Sequence, residues 1–324
     1  MSNLKDQKKL VSVLIPVFNV EEYVEEAIQS IMDQTCKNLE IIVVDDASTD
    51  GTYDAVKKLA IKDERIKLFR NEKNLKIAGT LNRALSKANG YYIARMDGDD
   101  ISAPGRIEKK VKFLELNPQF DLVGCSIKTM NENGEIVGKA DYYADEEFLK
   151  ATLKYRTPVS HIWVTKKSVY EKLGGYREMA GIEDYDFLLR LTTAGIRYTN
   201  LQKYYGYYFR IGRPGNTASR IGIKQRKMKK YAFKLYEERK KKGVDSFSTG
   251  RYNKVIQSNP FAEKVDLLSG KFLFYAVQAK GKKQNIRAKL FLLLSLISPH
   301  QLSQLYMNIR FKSLLKQYLR SISK

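Results

Sequence analysis

The chain has 324 residues, of which 43% are hydrophobic and 11% aromatic, and it carries a net charge of +22 at pH 7. This length and apolar content allow one large packed domain or two ordinary ones, and they exclude a globally disordered protein. The strong positive charge points to an anionic partner, either membrane lipid or nucleic acid.

The positive charge is concentrated in the last third of the chain. Residues 220–324 hold 25 lysines and arginines against 5 acidic residues, whereas residues 1–219 hold 33 against 31. We therefore predict a nearly neutral domain over residues 1–219 and a basic helical region over 220–324. The basic region is expected to associate with an anionic membrane surface or to dock the acceptor.

Targeting segments and cysteines give further expectations. The N-terminus, MSNLKDQKKL, has no apolar signal-peptide region, and no stretch reaches the roughly 18 apolar residues of a membrane span. Cys36 and Cys125 lie far apart, which fits a reducing cytosol and no zinc site. These features favour a cytoplasmic protein.

Strand and helix patterns alternate over the first part of the chain. Strands are predicted at residues 11–19, 39–44, 65–70 and 91–97, and helices at 21–34, 52–62 and 77–88. Because the strands are strongly apolar, the alternation predicts an α/β fold with a mostly parallel sheet and helices on both faces. Pro16 argues against a central ladder position there, so the first strand is predicted to open into a loop over residues 16–19.

The later elements are less regular. The patterns predict a helix at 107–116, a hairpin of strands 121–130 and 135–140, a strand at 160–165, a helix at 183–193 and strands at 196–199 and 204–210. Residues 222–242 and 285–323 read as basic helices, with a short apolar patch at 272–277 between them. In 311–322 an apolar stripe lies beside three basic residues, which fits either a helix in a membrane interface or a packed bundle helix.

Three carboxylates follow the strand at 91–97, namely Asp97, Asp99 and Asp100, around Gly98. Carboxylates this close repel one another unless they are solvated or neutralised by a cation. Mg²⁺ or Mn²⁺, held by one or two carboxylates and substrate phosphates, is the usual solution, and Gly98 lets the backbone approach the ion. An acidic surface turn is the alternative.

The loops after successive parallel strands meet at one edge of the sheet, where α/β proteins bind ligands. This brings residues 16–21, 45–50 and 97–100 together. No Gly-x-Gly-x-x-Gly follows the first strand and no Walker-type Gly-Lys-Ser/Thr is present, which disfavours those two modes of nucleotide binding.

Five motifs together resemble the family 2 inverting glycosyltransferases of GT-A fold, of the bacterial polysaccharide-assembly type. They are PVFN at 16–19, DDAST at 45–49, AGTLNRAL at 78–85, ARMDGDD at 94–100 and EDYDFLLR at 183–190. They occur in the family's order and spacing and cover roughly residues 10–215. The basic last third lies outside the resemblance.

The resemblance implies a donor site and a metal site. Pro16, Phe18, Asn19 and Glu21 would line the nucleotide base and ribose, Asp46 would accept a hydrogen bond from uracil, and Asn82 would face the nucleotide or sugar pocket. Asp97 and Asp99 correspond to the Asp-x-Asp motif, with Asp99 the principal metal ligand, Asp97 nearer the ribose and sugar, Gly98 between them and Asp100 assisting. Arg210 would lie near the diphosphate.

The resemblance also implies catalytic residues. Asp184 would be the general base, with Glu183 second and Asp186 third, although acids at a helix N-terminus also favour the helix itself. His161 matches a family histidine near the active-site floor or acceptor side, or is a core residue. Trp163 belongs to the core or forms a sugar-stacking platform.

Two departures from the family limit the carry-over. The family's histidine after Tyr-Phe-Arg is replaced by Ile211-Gly212, so water or substrate would complete the metal shell. The Gln-x-x-Arg-Trp motif and membrane spans of processive members are missing, so a single sugar is expected per encounter.

The sequence therefore predicts a Mn²⁺- or Mg²⁺-dependent, inverting, hexosyltransferase-type enzyme that uses a UDP-sugar. Its acceptor would be a saccharide, lipid-linked at the cytoplasmic face of the cell membrane, as in capsule, O-antigen or cell-wall polymer synthesis. The alternatives are a nucleic-acid-binding protein, supported by net charge alone, and a sugar nucleotidyltransferase, which needs a glycine-rich phosphate loop where this chain has PVFN. We expect no nucleic-acid partner.

Overall fold

The computed structural model of the chain describes residues 9–179, 181–212, 222–257, 259–281 and 283–322. These residues fall into two compact units. The first unit spans Met1–Leu149 and Pro158–Asn216, and the second spans Lys150–Thr157 and Thr217–Lys324.

The first unit is built on a nine-stranded sheet with the order β3-β2-β1-β4-β8-β6-β9-β5, with β7 paired to β6. The strands are β1 (Val11–Val17), β2 (Leu39–Asp45), β3 (Ile66–Arg70), β4 (Tyr92–Arg95), β5 (Ile101–Ser102), β6 (Leu122–Met130), β7 (Ile136–Ala140), β8 (Val164–Lys166) and β9 (Tyr198–Arg210). Neighbours within β3-β2-β1-β4 are parallel, β8 runs antiparallel to β4 and β6, and β6 is parallel to β9.

Seven helices begin in the described part of this unit. They are α1 (Glu21–Met32), α2 (Thr52–Lys62), α3 (Lys76–Lys87), α4 (Arg106–Leu116), α5 (Glu146–Thr152), α6 (Lys167–Leu173) and α7 (Glu183–Thr193). Right-handed crossovers in the order 3-2-1-4 put α1 and α2 on one face of the sheet and α3 on the other. The predicted α/β architecture is confirmed, and the strand order reverses between β1 and β4, the usual place for a ligand.

The core of this unit explains why β1 and β2 read as apolar runs. Every residue of both strands is buried, and the inward faces of α1 and α2 pack on them through residues such as Ile28 and Val56. Two-sided burial of parallel strands favours a continuous apolar sequence over an alternating one.

The prediction that the first strand opens at Pro16 is wrong by two residues. Pro16 lies inside β1, in register with Val44, and the loop begins after Val17. The hydrogen-bonded pairing between β1 and β4 ends at Leu14. Pro16, which has no main-chain N–H to donate, is therefore tolerated two positions later.

Several other boundaries differ from the sequence pattern. The two predicted late strands are one continuous strand, β9, whose register against β6 shifts near Cys125 and Ser126. The strand predicted at 160–165 is limited to β8, and the short elements β5, α5 and α6 were not predicted. The predicted hairpin is confirmed as the antiparallel pair of β6 and β7.

The described part of the second unit is helical, as predicted, but the helix predicted at 285–323 is interrupted at residues 295–298, and the helices Thr249–Ile256 and Pro260–Gly281 were not predicted. It contains α8 (Ile223–Lys242), α9 (Thr249–Ile256), α10 (Pro260–Gly281), α11 (Asn285–Leu294), a short 3-10 helix (Ser295–Ile297) and α12 (Pro299–Ile322). The apolar patch at 272–277 lies within α10. Among the residues that the structure describes, no helix combines the length and apolar character needed to cross a membrane.

Candidate active site

The loops after β1 and β2 are joined by direct hydrogen bonds. The main-chain N–H of Asn19 donates to Ser48 Oγ at 3.0 Å, and the N–H of Thr49 donates to Asn19 Oδ1 at 2.9 Å. The N–H of Gly51 donates to Glu21 Oε2 at 2.8 Å. The predicted convergence of these loops at one sheet edge is therefore confirmed.

Three more residues predicted for the donor pocket lie at this edge. Pro16 is buried at the end of β1, whereas the ring of Phe18 is 44% exposed. Asp46 is buried after β2, where its Oδ1 accepts hydrogen bonds from Asn71 Nδ2 at 2.6 Å and from the N–H of Leu75 at 2.7 Å. Asp46 thus holds the entry to α3 in place.

The acidic turn after β4 packs tightly against β1. A Cβ placed on Gly98 would lie 2.6 Å from Val17 Cγ1, so the close approach requires glycine. The N–H of Asp97 donates to the hydroxyl of Tyr207 on β9 at 3.1 Å. The turn is therefore fixed by both the first and the last strand of the unit.

Arg210, at the end of β9, contacts the buried side of the acidic turn. Its N–H donates to Asp100 Oδ1 at 2.7 Å and its Nε donates to the carbonyl of Asp99 at 2.9 Å. Its guanidinium also forms an ion pair with Glu26 at 2.7 Å and lies over the ring of Tyr23. Arg210 thus holds the turn in shape.

The chemistry of this turn fits a cation. Burial and the neighbouring charges of Asp99 and Asp97 raise the pKa of Asp100 well above its usual value. Asp100 Oδ2 is buried without a hydrogen-bond partner. A divalent cation beside these carboxylates would relieve both conditions. Within the described part of the chain, no cluster of three or more His, Cys, Asp or Glu side chains has the arrangement of a metal site.

His161 lies between two carboxylates from distant parts of the chain. Its Nε2 is 2.9 Å from Asp97 Oδ2 and its Nδ1 is 3.9 Å from Asp184 Oδ2. Burial raises the pKa of Asp97, but Arg95 and His161 outweigh it and hold that pKa below its usual range. The ionised carboxylate accepts a hydrogen bond, so Nε2 carries the proton. All three side chains are only partly exposed, at 21–24%.

Arg95, the last residue of β4, joins the acidic turn to α7. Its Nε donates to Asp97 Oδ1 at 3.2 Å and its Nη1 donates to Glu183 Oε1 at 3.1 Å. Burial raises the pKa of Glu183, an effect that Arg95 opposes and the charge of Asp184 reinforces. The sequence reasoning missed Arg95, although a lone arginine in an apolar strand is a signal of a buried charge with a partner.

The three acids at the start of α7 have different surroundings. Glu183 is buried against Arg95, and Asp186 is fully buried in an ion pair with Arg190 at 2.8 Å. The side chain of Asp184 remains 24% exposed. Asp184 is therefore the acid of this group that is open to solvent.

Two residues singled out from the sequence, Asn82 and Trp163, make contacts within the fold. Asn82 Nδ2 donates to the carbonyl of Tyr176 at 2.8 Å, and Asn82 Oδ1 accepts from the N–H of Tyr176 at 2.8 Å. Trp163 is fully buried, stacks on Phe187 and donates to Tyr170, which confirms the core interpretation.

The fold matches solved glycosyltransferase structures of GT-A type. TarS of S. aureus in complex with UDP-GlcNAc aligns with 96% of this chain and 92% of its own, with a TM-score of 0.60 and 17% identity. The mannosyltransferase PcManGT of Pyrobaculum calidifontis, in complex with GDP-Man and Mn²⁺, aligns with 94% and 88%, with a TM-score of 0.56 and 18% identity.

The sequence matches the family described as Glycosyl transferase family 2 over residues 12–174. The protein EpsE of Bacillus subtilis is 40% identical over 60% of this chain and 70% of its own. An uncharacterised glycosyltransferase of Methanocaldococcus jannaschii is 33% identical over 72% and 81%. The O-antigen biosynthesis glycosyltransferase WbnJ of Escherichia coli is 32% identical over 60% and 77%. The chain belongs to glycosyl transferase family 2 and is a glycosyltransferase.

Proposed function

We propose that this glycosyltransferase moves a sugar from a UDP-sugar to a saccharide acceptor, with inversion and with one sugar per encounter. The supporting observation is that Asp97 and Asp184, from the fourth and fifth of the five motifs, flank the same imidazole of His161. A donor held near Asp97 and an acceptor held near Asp184 would then meet at His161.

Asp184 is the proposed general base. A positioned carboxylate takes the proton of the acceptor hydroxyl as that oxygen attacks the anomeric carbon. The proposal is supported by the partial exposure of Asp184, because Glu183 and Asp186 are both buried against arginines. A single displacement then inverts the anomeric centre without a covalent enzyme intermediate.

Mn²⁺ or Mg²⁺ is the proposed cofactor, held by Asp99 and Asp97 with Asp100 behind them. Such ions commonly bind one or two carboxylates together with substrate phosphates and water. When bound, the ion would neutralise charge on the departing diphosphate. The buried, partnerless Oδ2 of Asp100 supports a cation at this turn.

The loops after β1, β2 and β4 are the proposed donor pocket. Phe18 offers an exposed ring to the base, and Pro16 and Gly98 form the floor at the β1–β4 crevice. Asn19, Glu21, Asp46 and Arg210 would act by holding these loops, since each has polar atoms bound to main-chain groups. Asn82 would act from α3, where its side chain holds the main chain of Tyr176. The nucleotides in the TarS and PcManGT structures support a UDP-sugar first and a GDP-sugar second.

The proposed acceptor is a growing cell-surface polysaccharide, lipid-linked at the cytoplasmic face of the membrane. The O-antigen biosynthesis function in the name of WbnJ supports this pathway class. The charge of residues 220–324 supports a peripheral position on an anionic membrane surface.

The donor site is tested by thermal unfolding with a panel of nucleotides and nucleotide-sugars, in Mn²⁺ and in EDTA. We expect UDP to raise the unfolding temperature only with metal, and Asp99→Ala to abolish this rise. Asp33→Ala, an exposed carboxylate directly after α1, is the matched control and should keep it. A response to GDP alone would change the donor, and no response to any nucleotide would overturn the proposal.

The base is tested separately by transfer assays with the best-stabilising sugar donor. We expect Asp184→Asn to keep nucleotide-dependent stabilisation and to lower the transfer rate by about a hundredfold or more. A variant that transfers sugar at the unmodified rate would exclude Asp184 as the base.

A further inference from the structure

The last helices of the second unit bury small or polar side chains and expose large apolar ones. From α10 to α12, the described residues that are buried are Asp266, Ser269, Ala276, Ala279, Ser295, Ser298 and Gln301. No leucine, isoleucine, valine or phenylalanine of the described residues 260–322 is among them. Water-soluble helical bundles have the opposite arrangement.

The buried polar groups satisfy one another. Arg226 Nη1 donates to both carboxylate oxygens of Asp266 at 2.7 Å, and Arg226 Nη2 donates to Gln301 Oε1 at 3.0 Å. Ser298 Oγ donates to Asp266 Oδ1 at 2.6 Å, and the hydroxyl of Ser269 donates to the carbonyl of Ser295. Small residues and paired polar groups inside, with apolar groups outside, are typical of helices surrounded by lipid.

A set of exposed apolar side chains on α10, α11 and the 3-10 helix is here named the apolar face. Its residues are Leu267, Leu268, Phe274 and Tyr275 on α10 and Ile286, Leu290, Leu293 and Ile297 on α11 and the 3-10 helix, each 45–86% exposed. Tyr275 and Leu290 line the same shallow depression, so the two halves adjoin. Residues 260–322 carry 16 of the 24 exposed large hydrophobic residues described for the chain, which makes this concentration exceptional.

The charges around the apolar face are almost all positive. The described cations in residues 260–297 are exposed: Lys264, Lys271, Lys280, Lys283, Arg287 and Lys289. Glu263 is the one exposed acid among the described residues of that range. Long basic side chains can keep their charged ends at lipid phosphates while their aliphatic stems lie along an apolar surface.

We propose that the apolar face inserts into the boundary between headgroups and acyl chains of an anionic bilayer. This inference rests on the proposed membrane association. It adds that inserted apolar side chains, as well as positive charge, hold the second unit on the membrane. No described helix could cross the bilayer, so the insertion is shallow. A second copy of the chain is a poorer occupant, because a symmetric pair would bring the two sets of cations together.

Insertion is tested by a fluorescent reporter in the full chain. The natural Trp163 is fully buried and gives a constant background. With vesicles of phosphatidylcholine and phosphatidylglycerol, Leu290→Trp should show a blue-shifted emission and quenching by brominated lipid. The matched control is Ile61→Trp on α2, where the native side chain is 81% exposed, and it should show neither change. An unchanged Leu290→Trp spectrum would overturn the proposal.

Binding is tested by vesicle flotation at low salt and at about 1 M salt, where the screening length falls to about 3 Å. The unmodified chain should stay bound at high salt. Leu267→Asn/Leu290→Asn/Leu293→Asn should bind about tenfold or more weakly, because three apolar side chains lose their lipid contact. Ile61→Asn/Leu116→Asn/Ile136→Asn, which alters three exposed positions of the first unit, should bind as the unmodified chain does.

Two outcomes would contradict insertion. Complete release of the unmodified chain from vesicles at high salt would mean that charge alone holds it on the membrane. A dimer that forms without lipid, and that the triple substitution dissociates, would mean that a second copy of the chain covers the apolar face. Metal-dependent stabilisation by UDP is measured in the same variants. If the chain does not bind vesicles but UDP still stabilises it, the donor proposal stands and insertion is contradicted. If the chain binds vesicles but no nucleotide stabilises it, insertion stands and the donor proposal is contradicted.

Discussion

Arg95 is a buried guanidinium shared between two carboxylates. It contacts Asp97, two residues away, and Glu183, 88 residues further along the chain. A buried charge that loses its partner is strongly destabilising, because neither protein nor water then solvates it. This single side chain therefore couples the order of the acidic turn to that of α7.

We predict that Arg95→Met lowers the free energy of unfolding by about 3–5 kcal/mol, because Glu183 is left buried without its cation. Glu183→Gln alone should also destabilise, since Arg95 then lacks one carboxylate. In the double variant the loss should be smaller than the sum of the two single losses. Denaturant unfolding of the four proteins measures this coupling, and strict additivity would contradict the pairing.

The sequence identified the residues whose roles lie in short motifs, and it missed those defined by distant contacts. Asp97, Asp99 and Asp184 were singled out because their motifs occur in a recognisable order, and their roles stay predictions. The link from Arg95 to Glu183, and the position of His161 between Asp97 and Asp184, depend on how β4, β8 and α7 pack. No local pattern records a contact between residues that are far apart in the chain.

Glu40 on β2 joins the ends of three neighbouring elements. It accepts hydrogen bonds from Ser12 on β1, from Lys67 on β3 and from the N–H of Asn89 before β4. Burial raises the pKa of Glu40, but these bonds outweigh it and lower the pKa from 4.5 to about 2. A carboxyl whose folded pKa is lowered stabilises the fold above its unfolded pKa, and it loses that effect as pH falls towards its folded pKa.

We predict that Glu40→Gln lowers the free energy of unfolding by about 2–3 kcal/mol at neutral pH. The difference from the unmodified chain should shrink as the pH falls from 4.5 to about 2, where Glu40 itself becomes protonated. Urea unfolding of both proteins between pH 7 and about pH 2 measures this difference in the free energy of unfolding. Glu64→Gln, at an exposed position, is the control and should show little difference at any pH. A difference for Glu40→Gln that stays constant with pH would contradict the assignment.

Some long periodic helices were predictable and the short elements were not, whereas α10, with 22 residues, was predicted only as an apolar patch at 272–277. The bounds of α2 and α7 match the sequence pattern, because their apolar spacing extends over three turns. The elements β5, α5 and α6 have seven residues or fewer, which is too short for a periodicity to stand out. The two strands predicted at 196–199 and 204–210 are one strand, β9, because both pair with β6. This pairing outweighs the effect of the polar residues between them.

In the second unit, α10 to α12 bury small and polar residues, whereas α8 and α9 bury apolar ones such as Leu235 and Tyr252. Asp266 and Arg226 form a buried ion pair between α10 and α8, and both also bind neighbouring side chains. The packing of α10 to α12 against α8 should therefore depend on this charge pair.

We predict that Asp266→Ala destabilises the second unit by about 3 kcal/mol, because Arg226 is left without its carboxylate. Hydrogen exchange should quicken in the described helices from α8 to α12, and metal-dependent stabilisation by UDP should persist in the first unit. Lys264→Ala, an exposed change on the same helix, is the control. Unchanged exchange in Asp266→Ala would show that the ion pair does not hold these helices together.

The support of the acidic turn by β9 bears on the order in which the protein is completed during synthesis. Strands β1 to β4 are contiguous in the chain and pair with one another, so they are available to assemble early. Arg210, the residue that cradles Asp99 and Asp100, emerges 110 residues after Asp100. Pairing at such separation is slow because a long loop must close first. We therefore expect strands β1 to β4 to pair in the nascent chain well before its cluster of negative charge has acquired the arginine that holds it in shape.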